Sequence, residues 1–227
     1  MRYSIFLLLL LFSMSRSGNA QSGKAPDIPG AFVLQLGINK PASTPDHMPL
    51  GFWGSRSFNI SYENELRLGG SRFFLVPSVM LAMERLKFKN NEILQYQSGD
   101  LILASIDEAV KKSQLVMNYF DVPASIRYCA KPDNRKNSFS VSLGVKGGVL
   151  VSSHAKIKYA QGDDIVKEKI KRRWGLNQFR YGVTGAVGLG NVSLFAFYNM
   201  VPLFEDKAGP DGNAFNVMTL GLSIGAF

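Results

Sequence analysis

The chain has 227 residues and a formal net charge of +9, a length that suits one domain, and no stretch of it marks a linker. Its single cysteine, Cys129, excludes an internal disulfide. The two histidines, His47 and His154, have no Cys or His partner at the spacing of a zinc site. We therefore expect no metal and no cofactor.

The N-terminus has the layout of a secretory signal peptide. Arg2 precedes an apolar run over residues 5–12, and Gly18-Asn19-Ala20 offers a small-x-small cleavage site. The run is too short to cross a bilayer as a helix, which disfavours an uncleaved anchor. Cleavage after Ala20 removes Arg2 and Arg16, which leaves 24 basic and 17 acidic residues and a net charge of +7.

We expect three parts in the chain. Residues 1–20 form the signal peptide, residues 21–30 form a short periplasmic segment, and residues 31–227 form the folded domain.

The folded domain alternates with a period of two residues, which is typical of strands. Between Ser57 and Arg67, Phe58, Ile60 and Tyr62 share one face, and Ser, Asn and Glu side chains fall on the other. Residues 138–152 repeat this pattern. The remaining strands are predicted at residues 31–39, 72–86, 114–129, 176–188, 192–201 and 215–227.

The connections between these strands alternate in length. The long ones cover residues 40–54, 87–113, 159–174 and 202–214, and the short ones cover residues 69–71, 131–137 and 190–191. Bacterial outer-membrane barrels have long outer loops and short periplasmic turns. An exported chain without a spanning helix satisfies its backbone hydrogen bonds in lipid only as a closed barrel.

The sequence therefore predicts an all-β, antiparallel, up-and-down transmembrane β-barrel of about eight strands in the outer membrane. A soluble lipocalin-like binder is the alternative fold. Such a binder needs neither the alternation of loop lengths nor aromatic residues on the outward face.

The polar phase of the strands is expected to face the barrel interior. It holds a predicted lumen charge network of four acids and four bases: Glu63, Glu65, Arg67, Glu84, Asp121, Arg127, Lys146 and Arg180. Buried charges persist when they are paired, and side chains fill the interior of an eight-stranded barrel. A balanced set predicts internal ion pairs rather than an ion-selective pore.

The segment from Tyr119 to Tyr128 resembles a motif of the PorT-like outer-membrane β-barrel proteins of the Bacteroidota. The motif places an aromatic residue before an apolar-acid-apolar-Pro run and ends in a basic residue and Tyr. Here it is carried by Tyr119, Phe120, Asp121, Val122, Pro123, Ile126, Arg127 and Tyr128. The resemblance implies a single-domain barrel in the outer membrane, and it implies no shared activity, since only some relatives serve a secretion apparatus.

A basic stretch around residues 156–173 suggests a binding role. The candidate anionic-lipid contacts are Lys167, Lys169, Lys171, Arg172 and Arg173, because Lys and Arg attract the phosphates of lipopolysaccharide. A solvated loop tip is the alternative interpretation. Export makes nucleic acid an unsuitable partner.

Residues 100–112 carry an apolar stripe that fits either a short helix or an extension of the flanking strands.

We expect a non-enzymatic barrel with a structural, assembly-linked, secretion-linked or surface-binding role. Its expected partners are outer-membrane lipid and lipopolysaccharide, the barrel-assembly machinery and other envelope proteins. The alternative is an enzyme that modifies lipid A through Ser152 or Ser153 and His154. Nucleophilic catalysis requires the hydroxyl within hydrogen-bond reach of the base, which neighbours on a strand do not readily achieve.

Overall fold

The computed structural model describes residues 30–42, 50–89, 92–105, 110–134, 137–161 and 164–225. The predicted signal peptide, most of the predicted periplasmic segment and the C-terminal Phe227 lie outside these residues. The expectations for them stay predictions.

Twelve strands form in the described part of the chain. In order they are β1 (Ala31–Pro41), β2 (Arg56–Glu63), β3 (Leu66–Arg67), β4 (Phe73–Lys87), β5 (Glu92–Gln97), β6 (Asp100–Ser105), β7 (Val110–Cys129), β8 (Phe139–Gln161), β9 (Asp164–Lys171), β10 (Phe179–Leu189), β11 (Val192–Asn199) and β12 (Val217–Gly225). Two short 3-10 turns cover Phe52–Gly54 and Pro210–Gly212. None of the helical segments described has the length or hydropathy that a bilayer-spanning helix requires.

Eight of the strands close into an antiparallel barrel. Their order is β1-β2-β4-β7-β8-β10-β11-β12, and β12 pairs with β1 to complete the circle. Every pairing is antiparallel between neighbours, so the predicted up-and-down barrel of eight strands is confirmed.

Side chains alternate between the interior and the outer surface along each barrel strand. On β4, Val76 and Met80 are buried, whereas Val79 and Leu81 are about half exposed. The outward positions of the other strands are likewise apolar and include Leu34, Leu36, Phe120, Val122, Leu143, Val145, Leu194 and Leu222. This apolar outer surface is the one that the period-two pattern predicts.

The two ends of the barrel differ. The turn end carries the connections at residues 64–72, 130–138 and 190–191, and Gly190 adopts a positive φ of 57° in the tightest of them. The loop end carries the four long connections. The predicted alternation of loop lengths is therefore present.

Two loop-end segments differ from the prediction. Residues 100–105 form neither of the two expected structures but pair with β5 in a separate hairpin, whereas residues 110–112 begin β7 and extend a flanking strand, as one of the two alternatives expected. Residues 159–161 and 164–171 are not a loop, since β8 continues to Gln161 and pairs with β9. We call β9 and the loop-end parts of β7 and β8, Val110–Asn118 and Ser152–Gln161, the extension.

An apolar cluster occupies the loop end of the barrel. Leu86, Leu115 and Met117 from the barrel strands pack with the loop residues Leu94, Leu101, Trp174, Leu176, Leu203, Phe204 and Phe215, and all of them are buried. We call this cluster the apolar cap.

Candidate functional site

A cluster of buried charges lies at mid-height in the barrel. The Arg180 guanidinium donates to both oxygens of Asp121, at 3.0 and 2.6 Å, and to Oε1 of Glu84 at 2.7 Å. Lys146 Nζ lies 3.6 Å from Asp121 Oδ2. The four residues come from four strands, and each is at most 5% exposed. Two cations and two carboxylates balance, which satisfies the requirement for buried charge.

Aromatic rings hold both cations of this cluster. The Arg180 guanidinium carbon lies 3.6 Å from the centre of the Tyr119 ring, and Lys146 Nζ lies 3.5 Å from the centre of the Phe197 ring. Cation–π contacts of this kind are stronger where water is excluded. On the opposite wall, Thr219 Oγ1 donates to Asn39 Oδ1 at 2.8 Å.

Every barrel strand contributes a buried side chain to this level of the interior. They are Asn39, Asn59, Glu84, Tyr119, Asp121, Lys146, Arg180, Phe197 and Thr219. We call this set the middle layer, and it fills the barrel just below the apolar cap.

A second ion-pair cluster lies toward the turn end. Arg127 donates to Glu63 at 2.7 Å and forms a short hydrogen bond to Glu65. A cavity of about 70 Å³ extends from Arg127 to Lys146, and serines are the most frequent residues in its lining. That volume exceeds the ~10–15 Å³ of one ordered water and is far below the ~300 Å³ of a small-molecule pocket. This part of the interior therefore has room for water rather than for a ligand.

Seven of the eight predicted lumen residues lie in these two clusters, and Arg67 does not. Its side chain is 39% exposed and pairs at 3.3 Å with Asp133, which is itself 88% exposed. Arg67 lies on the short strand β3, whose two residues are both exposed. The inward and outward alternation of β2 therefore does not extend to Arg67.

The outer face of the extension and of the adjoining end of β4 carries rows of cations. Strand register places Arg85, Val116, His154 and Lys171 in one row. The same register places Lys87, Gln114, Lys156 and Lys169 in the next row, and Lys112, Lys158 and Lys167 in the third. We call the eight Lys and Arg residues of these rows the basic face.

The cations of the basic face act on one another. The pKa of Lys112 is lowered by burial and by the charges of Lys156, Arg85, Lys158 and Lys87. Burial and the neighbouring Lys169, Lys156 and Lys171 likewise lower the pKa of His154. Both directions are those expected where like charges crowd together.

The predicted anionic-lipid contacts divide between two locations. Lys167, Lys169 and Lys171 belong to the basic face. Arg172 and Arg173 lie outside it, and their contact with anionic lipid stays a prediction. The Arg172 guanidinium lies 5.3 Å above the Tyr96 ring, and Arg173 donates to Glu205 at 2.7 Å.

The remaining members of the basic face are Lys156 and Lys158, which belong to the predicted basic stretch but not to the candidate contacts, and Arg85, Lys87 and Lys112, which lie outside that stretch. The signal for them was the period-two spacing of Lys156 with Lys158, which repeats in Lys167, Lys169 and Lys171.

The serines next to His154 bond elsewhere. Ser153 Oγ donates to the Arg172 carbonyl at 2.7 Å, and Ser152 Oγ accepts from Asn118 at 2.9 Å. Neither hydroxyl is hydrogen-bonded to the His154 ring, so these residues form no nucleophile–base pair in the structure. Within the described ranges, no group of three or more His, Cys, Asp or Glu side chains could hold a metal ion.

Comparison with known proteins gives the family. Residues 19–203 match the model described as "Outer membrane protein beta-barrel domain". The chain belongs to this family. Its location is therefore the outer membrane, and its apolar outer surface faces lipid. No curated protein matches the chain.

Among solved structures, the chain is similar to Ail, the attachment invasion locus protein of Yersinia pestis, solved in complex with the heparin analogue sucrose octasulfate. The two chains share 15% identity with a TM-score of 0.34, and the match covers 88% of this chain and all of Ail. Likeness at this level says nothing about what this chain binds.

Proposed function

We propose that this outer-membrane barrel conducts no solutes and acts as a surface-binding protein through the structure at its loop end. The observation that carries the proposal is the middle layer. Each of the eight strands places a buried side chain there, and Arg180, Asp121, Glu84 and Lys146 bond across the barrel. The apolar cap covers this layer on the loop-end side. Because the interior is filled, the protein acts through the outer surfaces of the barrel and its loop end.

The loop end is the side on which the chain builds structure beyond the barrel. The extension and the β5–β6 hairpin both project there, whereas the turn end carries short connections. In bacterial barrels the long loops face outward, so we place the basic face outside the cell.

Labelling with a membrane-impermeant maleimide on intact cells tests this placement. Lys169→Cys introduces a thiol on the exposed strand β9, and Lys131→Cys introduces one at the turn end. The native chain is the background control, because its Cys129 is buried. We expect Lys169→Cys to react on intact cells and Lys131→Cys only after permeabilisation. The reverse pattern would refute the proposed orientation.

A closer relation to the PorT-like proteins is part of the proposal and rests on the residues from Tyr119 to Tyr128. In the barrel, Tyr119 and Asp121 contact Arg180, and Arg127 bonds to Glu63. The motif therefore supplies interior contacts, which supports a shared way of filling the barrel rather than a shared ligand. A secretion-linked role would appear as loss of secreted proteins after deletion of the gene.

A further inference from the structure

The basic face is a dense array of positive charge. Its members lie on four adjacent strands, so the array is about 14 Å wide at ~4.8 Å between strands. Its three rows are separated by two residues each, which makes it about 13 Å high at ~3.3 Å per residue. Eight cations occupy this area, and Arg85, Lys156, Lys167, Lys169 and Lys171 are exposed.

No carboxylate lies in the three rows described above to neutralise this charge. Between β8 and β9 the outward positions pair His154 with Lys171, Lys156 with Lys169, and Lys158 with Lys167. Glu168 has the opposite phase on β9 and accepts from the Tyr159 hydroxyl. Among the residues described, no ion pair joins the basic face to an acid.

This concentration of unneutralised cations requires an explanation from function. The register brings these like charges side by side in three rows, and their mutual repulsion raises the free energy of the folded chain. An anionic partner that lies across the rows would remove that cost.

The basic face continues the lipid-facing surface of the same strands. On β4 the outward positions change from Val79 and Leu81 to Arg85 and Lys87 within four to six residues. On β8 they change from Leu143 and Val145 to Lys156 and Lys158 across the bulge at Val151. Apolar and cationic surface thus follow one another along the barrel wall, in the order of acyl chains and phosphates in a leaflet.

We propose that the basic face binds the phosphate groups of lipopolysaccharide in the outer leaflet, with the acyl chains of the lipid against the apolar wall below. The inference rests on the proposed function, because it requires the loop end to lie outside the cell. A soluble polyanion would match the charge, but it would have no use for the adjoining apolar surface. The continuity of the two surfaces therefore favours a lipid.

A lipid-binding measurement tests the proposal. The full mature chain is reconstituted in neutral phospholipid nanodiscs and titrated with fluorescent lipid A that carries two phosphates, and in parallel with the same lipid A stripped of phosphate. We expect binding of the phosphorylated form that weakens as salt is raised. At about 1 kcal/mol per basic residue near an anionic surface, Lys156→Gln/Lys158→Gln/Lys169→Gln weakens binding by about 100-fold.

Two matched variants control for net charge and folding. Lys131→Gln/Lys207→Gln/Arg72→Gln removes the same charge at exposed positions away from the basic face and should bind like the native chain. Lys156→Arg/Lys158→Arg/Lys169→Arg retains the charge and should also bind, which separates loss of charge from loss of folding.

Three results would overturn the proposal. The first is equal binding of phosphate-free lipid A, and the second is an equal loss in the control variant. The third is full displacement of the bound lipid by millimolar inorganic polyphosphate, which would indicate a site for soluble polyanions. If instead the loop end fails to react with maleimide on intact cells while lipid A still binds, the proposed orientation fails and the binding chemistry stands.

Discussion

Replacement of Arg180 by Met tests the energetic role of the middle layer. The change leaves the buried carboxylates of Glu84 and Asp121 without their shared guanidinium, and only Lys146, 3.6 Å from Asp121, remains as a partner. Removal of one member of a buried ion pair costs about 3–5 kcal/mol. Since two carboxylates are stranded, we expect the upper part of that range, at least a thousandfold in the folding equilibrium at about 1.4 kcal/mol per tenfold.

Urea unfolding in phospholipid vesicles, followed by tryptophan fluorescence, measures this loss. With a slope of about 2 kcal/mol per molar urea, the midpoint falls by about 2 M. The double variant Glu84→Gln/Arg180→Met removes one stranded charge, so it should be more stable than Arg180→Met alone by about 1 kcal/mol. An Arg180→Met barrel that unfolds within about 0.5 kcal/mol of the native chain would refute the interpretation of these contacts as a stabilising network.

Three further predictions concern other parts of the chain. Arg127→Ala leaves Glu63 and Glu65 without their cation and should lower the free energy of unfolding by about 1.5–3 kcal/mol. Arg67→Ala, at an exposed ion pair, should change it by less than about 0.5 kcal/mol. Equal losses in the two variants would contradict the interior location of Arg127 and the exposed location of Arg67. The pKa of His154 is lowered in the folded chain, so the unfolded chain takes up its proton first as the pH falls, and stability is lost below the ordinary His pKa. Unfolding at pH 7.5 and pH 5 should therefore show a smaller loss for His154→Gln than for the native chain, and a loss of the same size would contradict the shift. Tyr96→Ala removes a ring stacked on Trp174 at 5.8 Å, and limited proteolysis should then cut the β5–β6 hairpin faster while the barrel still migrates as folded on a gel; unchanged cleavage would show that this stack does not hold the hairpin.

The barrel was predictable because the residue pattern of a membrane strand reflects the two environments on either side of it. Outward positions meet lipid and inward positions meet other side chains, so period two gives the phase of each strand without knowledge of its neighbours. Phe58 and Ile60 on β2, and Val141 and Leu143 on β8, fall on the face that the alternation assigned to them.

The partners of the interior charges could not be predicted in the same way. Arg180 and Asp121 are 59 residues apart, and their contact depends on the tilt of strands that do not adjoin. Parity gives the side of the wall on which a charge lies, while the stagger between strands determines its height. The sequence therefore indicated that the interior charges balance, but it did not show that they form two separate clusters.

The end of β8 and strand β9 escaped prediction because their sequence lacks the usual strand signal. On a membrane strand the outward residues are apolar, whereas Lys156, Lys158 and Lys167 are outward and charged, as in a solvated loop. A one-residue shift between Asn118 and Tyr119 leaves Val151 without a partner on β7 and changes the phase of β8 at the point where it leaves the barrel.

Single-channel recording in a planar lipid bilayer is the most direct test of the claim that the interior is filled. The purified, refolded native chain is added at high salt, and a porin is recorded in the same bilayer as the positive control. We expect insertion, shown by heat-modifiable migration of the recovered protein, with no conductance steps above the baseline of the bare membrane. Stable steps comparable to those of the porin would show an open water path past Arg180 and would contradict the account.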